Sequence, residues 1–212
     1  MGVAVNTNHR VLLVIVVLIG AVGAGVAQVD DEAWVDIPVI NHDFRLPADP
    51  GGYYFYQIER YPVAEQEAIA WHPVGFSGVL PWDRGRSVGF AFNRASDAVN
   101  GLRQALGVPY APGTYRLRVT VNANGPRGTA SRVSLGYGEG AAFKPVGMSE
   151  LDVPVESWPE WVEQELIVRV ADGDEAIGRP IVVMLEAIGG SGSPDQDNYG
   201  TCWDTVALSY RK

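Results

Sequence analysis

Hydrophobic and polar positions alternate with period two over several short stretches of this chain, and no long stretch carries apolar side chains at helical spacing. The clearest stretch is Thr114 to Asn122. Tyr115, Leu117, Val119 and Val121 fall on one side of it, and Arg116, Arg118, Thr120 and Asn122 on the other. Pro112-Gly113 supplies a turn before this strand, and "NANGPRG" supplies a hairpin loop after it. The same alternation predicts a strand over 131–137, with Val133, Leu135 and Tyr137 on one face. Another covers 86–93, where Val88, Phe90 and Phe92 oppose Ser87, Gly89 and Ala91. Residues 163–170 and 181–188 read as two more, the second so continuously apolar that it belongs in the middle of a sheet. A closing strand is expected from Trp203 to Tyr210 with Val206, Leu208 and Tyr210 inward, which puts the Trp203 ring on the opposite face. Val35 to Phe44 reads as the opening strand, and a short helix or turn fits near 96–99.

Seven or eight strands at this spacing, without linker or repeat, predict an all-β fold: one antiparallel β-sandwich over 36–212. Residues 45–85 and 189–202 read as long irregular segments rich in aromatic and acidic side chains. Compact domains tolerate such loops mainly where they serve a function.

The first 27 residues stand apart. Residues 1–10 are polar, Val11 to Ala27 carries no charge, and Gly25-Val26-Ala27 places small side chains where signal peptidase reads them. A secretory signal removed after Ala27 accounts for all of this; an uncleaved anchor accounts for the apolar run alone. No Cys lies near the cleavage site, which excludes a lipoprotein. Residues 28–35 then form a short acidic linker. The expected location is secreted or periplasmic, with membrane contact only through an uncleaved leader.

Charge and cysteine content narrow the function. With 25 acidic and 16 basic side chains in 212 residues, a formal net charge of -9 argues against a nucleic-acid partner. The single Cys, Cys202, rules out a disulfide framework and any Cys-based zinc site. It reads as a small buried hydrophobe, with an intermolecular disulfide as the alternative.

Carbohydrate recognition needs flat aromatic rings for CH faces and planar polar groups for hydroxyls. Trp71, Trp82, Trp158, Trp161 and Trp203 are the available rings, all of them equally compatible with ordinary packing. Trp82 and Trp203 are the best candidates. Arg116 and Arg118 lie on the polar side of the clearest strand, beside which Ser87, Gly89 and Ala91 would leave room for a ligand; an acidic sugar would suit them. Tyr137 completes the candidate set of Trp82, Arg116, Arg118, Tyr137 and Trp203. Enzymatic motifs are absent. Only His42 and His72 lie outside the leader, no H-x-x-x-H or G-x-S-x-G occurs, and no Lys follows "GGSGSPDQDN" as a phosphate loop requires. Carboxylate pairs could come from Asp83, Glu139, Asp195 or Asp197.

Four segments carry a more specific signal when taken in order: "VINHDFRLP", "GLRQAL" followed by "PGTYRLRVTV", "WPEWVEQELIV", and "CWDTVAL". The set resembles the galactose-binding-like jelly roll of bacterial carbohydrate-binding modules, related to the calcium-dependent Stig cyclases. The resemblance covers roughly residues 36–210 and implies fold more firmly than function. Where that family has Glu after the Phe of its opening strand, this chain has Arg45, while Asp204 of the closing strand is kept. Two expectations follow. Either Arg45 pairs with Asp204 in place of a structural calcium, or Asp43 and Asp204 help hold the ion while Arg45 points to solvent. The cyclase branch would place a general acid at Asp195 or Asp197. The reading that results is a secreted, non-catalytic module for a glycan or other small ligand, needing no cofactor beyond that possible calcium. The rivals are a metal-assisted cyclase or lyase on the same scaffold and a cell-surface adhesion module.

Overall fold

A computed structural model describes residues 33–46, 63–83, 86–92, 99–124, 129–153, 160–188 and 200–212, with the side chains of 81–83, 86 and 124 outside the description. The leader and most of the acidic linker, the short segment 96–98, Trp158, Asp195 and Asp197 lie outside it as well.

Two antiparallel sheets face one another. One has the order β3 (Ser77–Asp83), β4 (Arg86–Phe92), β11 (Gly200–Arg211), β6 (Gly113–Asn124), β9 (Val162–Val170), and β1 (Val35–Ile37) also pairs with β11. The other runs β2 (His72–Val74), β5 (Asn100–Pro109), β10 (Pro180–Ala187), β7 (Thr129–Tyr137), β8 (Lys144–Val153). This is the expected antiparallel jelly-roll sandwich. Its core is built as the alternation predicts: Tyr115, Leu117, Val119 and Val121 of β6 are buried against Val133 and Leu135 of β7 and Ile181, Val183 and Leu185 of β10. β10 is central and closed on both faces, as its continuous apolar run requires.

The first and last strands of the described domain meet. Val35 pairs with Tyr210 and Ile37 with Leu208, and the Val206 amide donates to the His42 carbonyl at 2.8 Å. The opening strand is shorter than alternation suggests, because residues 40–43 form a turn and Asn41 and Phe44 take left-handed backbone angles of 47° and 51°. That turn drives Phe44 into the core, where it stacks on Trp71 at 5.2 Å while the Trp71 indole donates to the Asn41 carbonyl. Gly89 lies beneath Phe44, and a Cβ there would come within 2.7 Å of the ring. Gln104 of β5 reaches across and holds both the amide and the carbonyl of Ile40, at 2.9 and 2.8 Å.

Within the segment 45–85, the described stretch 63–83 is regular where its composition suggests an irregular loop. It holds the short helix α1 (Val63–Ile69), ended by the left-handed Ala70, followed by β2 and β3. β5 and β8 also escape the alternation. In β5 the inward row is interrupted by the polar Gln104 between Leu102 and Leu106, which weakens the period-two signal.

Candidate functional site

The outer face of the five-stranded sheet, turned away from the core, gathers the most organised polar chemistry among the described residues. Register fixes its layout. On β10, Val182, Met184 and Glu186 point outward. Gly136, Ser134 and Arg132 of β7 stand opposite them on one side, with Ala105, Arg103 and Gly101 of β5 on the other. Met148 and Glu150 of β8 and His72 and Val74 of β2 form the margins. The centre is closed to solvent although it faces away from the core: Ser134 is 1% exposed, Val182 2%, Met184 6% and Glu186 7%. The margins are open, with Met148 51% exposed. A buried floor thus runs between two exposed walls.

Arg132 organises this floor. Its Nε donates to Glu150 Oε1 at 2.8 Å, a second guanidinium nitrogen lies 2.7 Å from the same oxygen, and a third lies 3.7 Å from Glu186. Burial pushes the Glu186 carboxyl above the usual 4.5; Arg132 opposes that shift and the neighbouring Glu150 adds to it. The arrangement offers two carboxylates as acceptors and a guanidinium as donor, held in fixed positions. The signal was present in sequence: Glu186 is a lone charge inside an apolar strand, and Arg132 occupies a polar position of the 131–137 alternation.

Among the described residues, those singled out from sequence are not brought together on one face. Trp203 is fully buried between the sheets and donates its indole N–H to Ser131 Oγ at 3.1 Å. The expected outward ring is corrected by a β-bulge. Trp203 pairs with Val121 and Val206 with Val119, so three steps on β11 match two on β6, and the extra residue returns Trp203 to the core face. The Thr205 amide donates to Thr120 Oγ1 at 2.8 Å and holds the bulge.

That bulge turns Cys202 to the outer face of the six-stranded sheet. There it is buried with Val88 and Phe90, flanked by Leu80, Phe92 and Trp161. Burial raises the Cys202 thiol well above its usual range. Val88, Phe90 and Phe92 therefore face away from the main core, and Ser87 and Ala91 are buried on the inner side with Gly89. The small residues expected to leave ligand space beside Arg116 and Arg118 lie on the opposite face from them.

Arg116 and Arg118 do project outward, but from the six-stranded sheet. The Arg116 guanidinium sits 4.3 Å from the Trp34 ring centroid and that of Arg211 4.9 Å from it. Trp34 carries no motif and precedes the first strand, so sequence reading passes over it. Tyr137 belongs to the other sheet, where its ring packs against the core edge 5.9 Å from Lys144 Nζ. Trp82 lies on β3, at the register shift between Pro81 and Asp83, with its side chain outside the description. Trp71 is core.

Arg45 pairs with Asp43 at 2.7 Å, so the expected pair with Asp204 does not form. The pair is only two residues apart in sequence, and the Arg45 side chain is 83% exposed, pointing to solvent as the alternative expectation has it. Among the described residues no group of three His, Cys, Asp or Glu side chains is placed to hold a metal.

No protein-family model and no curated protein matches this sequence. Solved structures do. A Stig cyclase from Fischerella sp. TAU superposes with a TM-score of 0.58 at 16% identity, covering 84% of this chain and 98% of its own. A cyclase from the same organism in complex with 4-(1H-indol-3-yl)butan-2-one gives 0.59 at 16% identity over the same shares of the two chains. A Bacteroides thetaiotaomicron protein described as sugar-binding gives 0.51 at 12% identity, covering 84% of this chain and all of its own. By its sheet order and by these likenesses, the described chain is a jelly-roll sandwich of the architecture that Stig cyclases share with a protein described as sugar-binding.

Proposed function

We propose that this protein is an exported, non-catalytic module that binds a glycan across the outer face of the five-stranded sheet. One observation carries the reading: Arg132, bridging exposed Glu150 and buried Glu186, presents fixed donors and acceptors on a floor walled by Met148 on one side and His72 on the other. Sugar hydroxyls need such fixed polar partners, and the exposed apolar Met148 beside Glu150 suits a CH face. Because both carboxylates are already tied to Arg132, little side-chain ordering is left to oppose binding.

Affinity electrophoresis of the full chain against a panel of neutral polysaccharides tests this. Retardation by at least one polymer is expected, weakened about tenfold or more in Arg132→Ala, the loss expected when a charged hydrogen-bonding partner is removed. Equal retardation of Arg132→Ala and the parent chain would reject the site. Export through a leader removed after Ala27 is part of the same proposal, and the mass of the exported protein checks it. The cyclase or lyase reading retains one supporting observation, since a buried carboxyl such as Glu186 keeps its proton to higher pH, as a general acid must. Turnover abolished by Glu186→Gln would move the assignment from binder to enzyme.

A further inference from the structure

The outer face of the six-stranded sheet carries a second, differently charged surface near the pairing of β1 with β11. In register, Arg211 of β11 and Arg169 of β9 flank Thr114 of β6, and Arg116 and Arg118 follow Thr114 along the same face of β6. Arg211 and Arg169 are two strands apart, about 10 Å, and Arg116 and Arg118 are about 7 Å apart along their strand. Four guanidinium groups thus share one small area of a chain whose net charge is -9.

Among the described residues, no carboxylate lies within ion-pair distance of any of the four. Glu165 stands opposite Arg118 in register and Asp36 lies in the Arg116 row, yet neither closes a pair. Arg116 is the most constrained of the set. Its guanidinium is stacked near Trp34 and its buried Nε–H has no acceptor. A guanidinium stacked on an indole keeps its in-plane N–H edge free for a planar acceptor, and a buried donor left without one is costly.

We infer that this face binds a linear polysaccharide bearing carboxylate groups, at a site separate from the glycan face of the other sheet. Carboxylates match the bidentate edge of Arg, and a strand-wise row of guanidinium groups suits a ligand that repeats its charge along a chain. The net negative field of the protein opposes long-range attraction, so contact-range pairing carries the interaction and salt weakens it. Trp34 fixes Arg116 and Arg211, while Arg118 and Arg169 stand exposed and make the adaptable contacts.

The experiment compares binding of the full chain to polygalacturonate and to the same polymer with its carboxyls reduced to alcohols, by calorimetry at low and moderate salt. The expected result is tighter binding of the charged polymer. That preference should fall about tenfold or more in the double variant Arg118→Gln/Arg169→Gln, whose exposed positions do not threaten folding, and should weaken with salt. Arg116→Lys, which keeps the charge but not the bidentate edge, should also lose most of the preference. An unchanged preference in the double variant would overturn the inference. So would equal binding of both polymers, or DNA or a sulfated glycan bound as tightly as polygalacturonate.

Discussion

Glu186 shows at the residue scale how one side chain can run against its strand. Six of the seven other residues of β10 are apolar and buried, and the carboxyl among them is held above its ordinary range chiefly by desolvation. The folded protein therefore binds this proton more tightly than the unfolded chain does. Stability from this group is fully present below the unfolded value of 4.5 and is lost as pH rises through the higher folded value. Melting temperatures should fall over that interval, and Glu186→Gln should flatten the slope; parallel pH profiles of parent and variant would show that the carboxyl is not the source. Trp203 is the opposite case, an aromatic that sequence parity assigns to the surface and that the fold buries completely. Trp203→Ala should cost about 3–5 kcal/mol in denaturant unfolding, the range for emptying a large core site. A change below about 1 kcal/mol would mean that the ring is not part of the packed core.

At the scale of elements, alternation was readable wherever one face was apolar and uninterrupted, as in β6, β7 and β9. It failed in three ways. The β11 bulge added a residue and reversed the facing of Trp203 and Cys202. β5 placed Gln104 in its inward row, where it serves the backbone of Ile40. β4 showed the right periodicity, but its large residues pack on the outer side of the sheet, which period alone cannot assign. Close backbone approach is equally invisible to pattern. A Cβ on Gly101 would sit against the Leu185 carbonyl oxygen, well inside contact distance, whereas one on Gly107 would meet no neighbour and face only the strain of a φ of 69°. Gly101→Ala should therefore cost about 3 kcal/mol, the upper part of the range for overpacking, and Gly107→Ala about 1 kcal/mol. Thermal melts of the two variants compare them directly, and equal losses would contradict the β5–β10 spacing.

On the scale of the whole molecule, the joining of the first and last described strands is a matter of backbone pairing. β1 pairs with β11, the Val206 amide bonds to His42, and the Trp34 ring lies near Arg116 and Arg211. Arg45 is engaged with Asp43. If backbone pairing alone joins these strands, a chelator leaves the melting temperature unchanged within about a degree, since only a ligand bound to the native state can shift it. A large drop would reveal a structural calcium. Taken alone, the sequence determined the fold class, because period-two alternation punctuated by turn residues admits a sandwich and little else. It also determined the apolar rows of the central strands, because burial on one face leaves a one-dimensional trace. Tertiary structure alone decided which polar residues share a surface. Arg132, Glu150 and Glu186 lie on three different strands, and Trp34, Arg116, Arg169 and Arg211 on or beside four. Such neighbours are set by strand order, register and a single bulge, and sequence spacing holds no record of these.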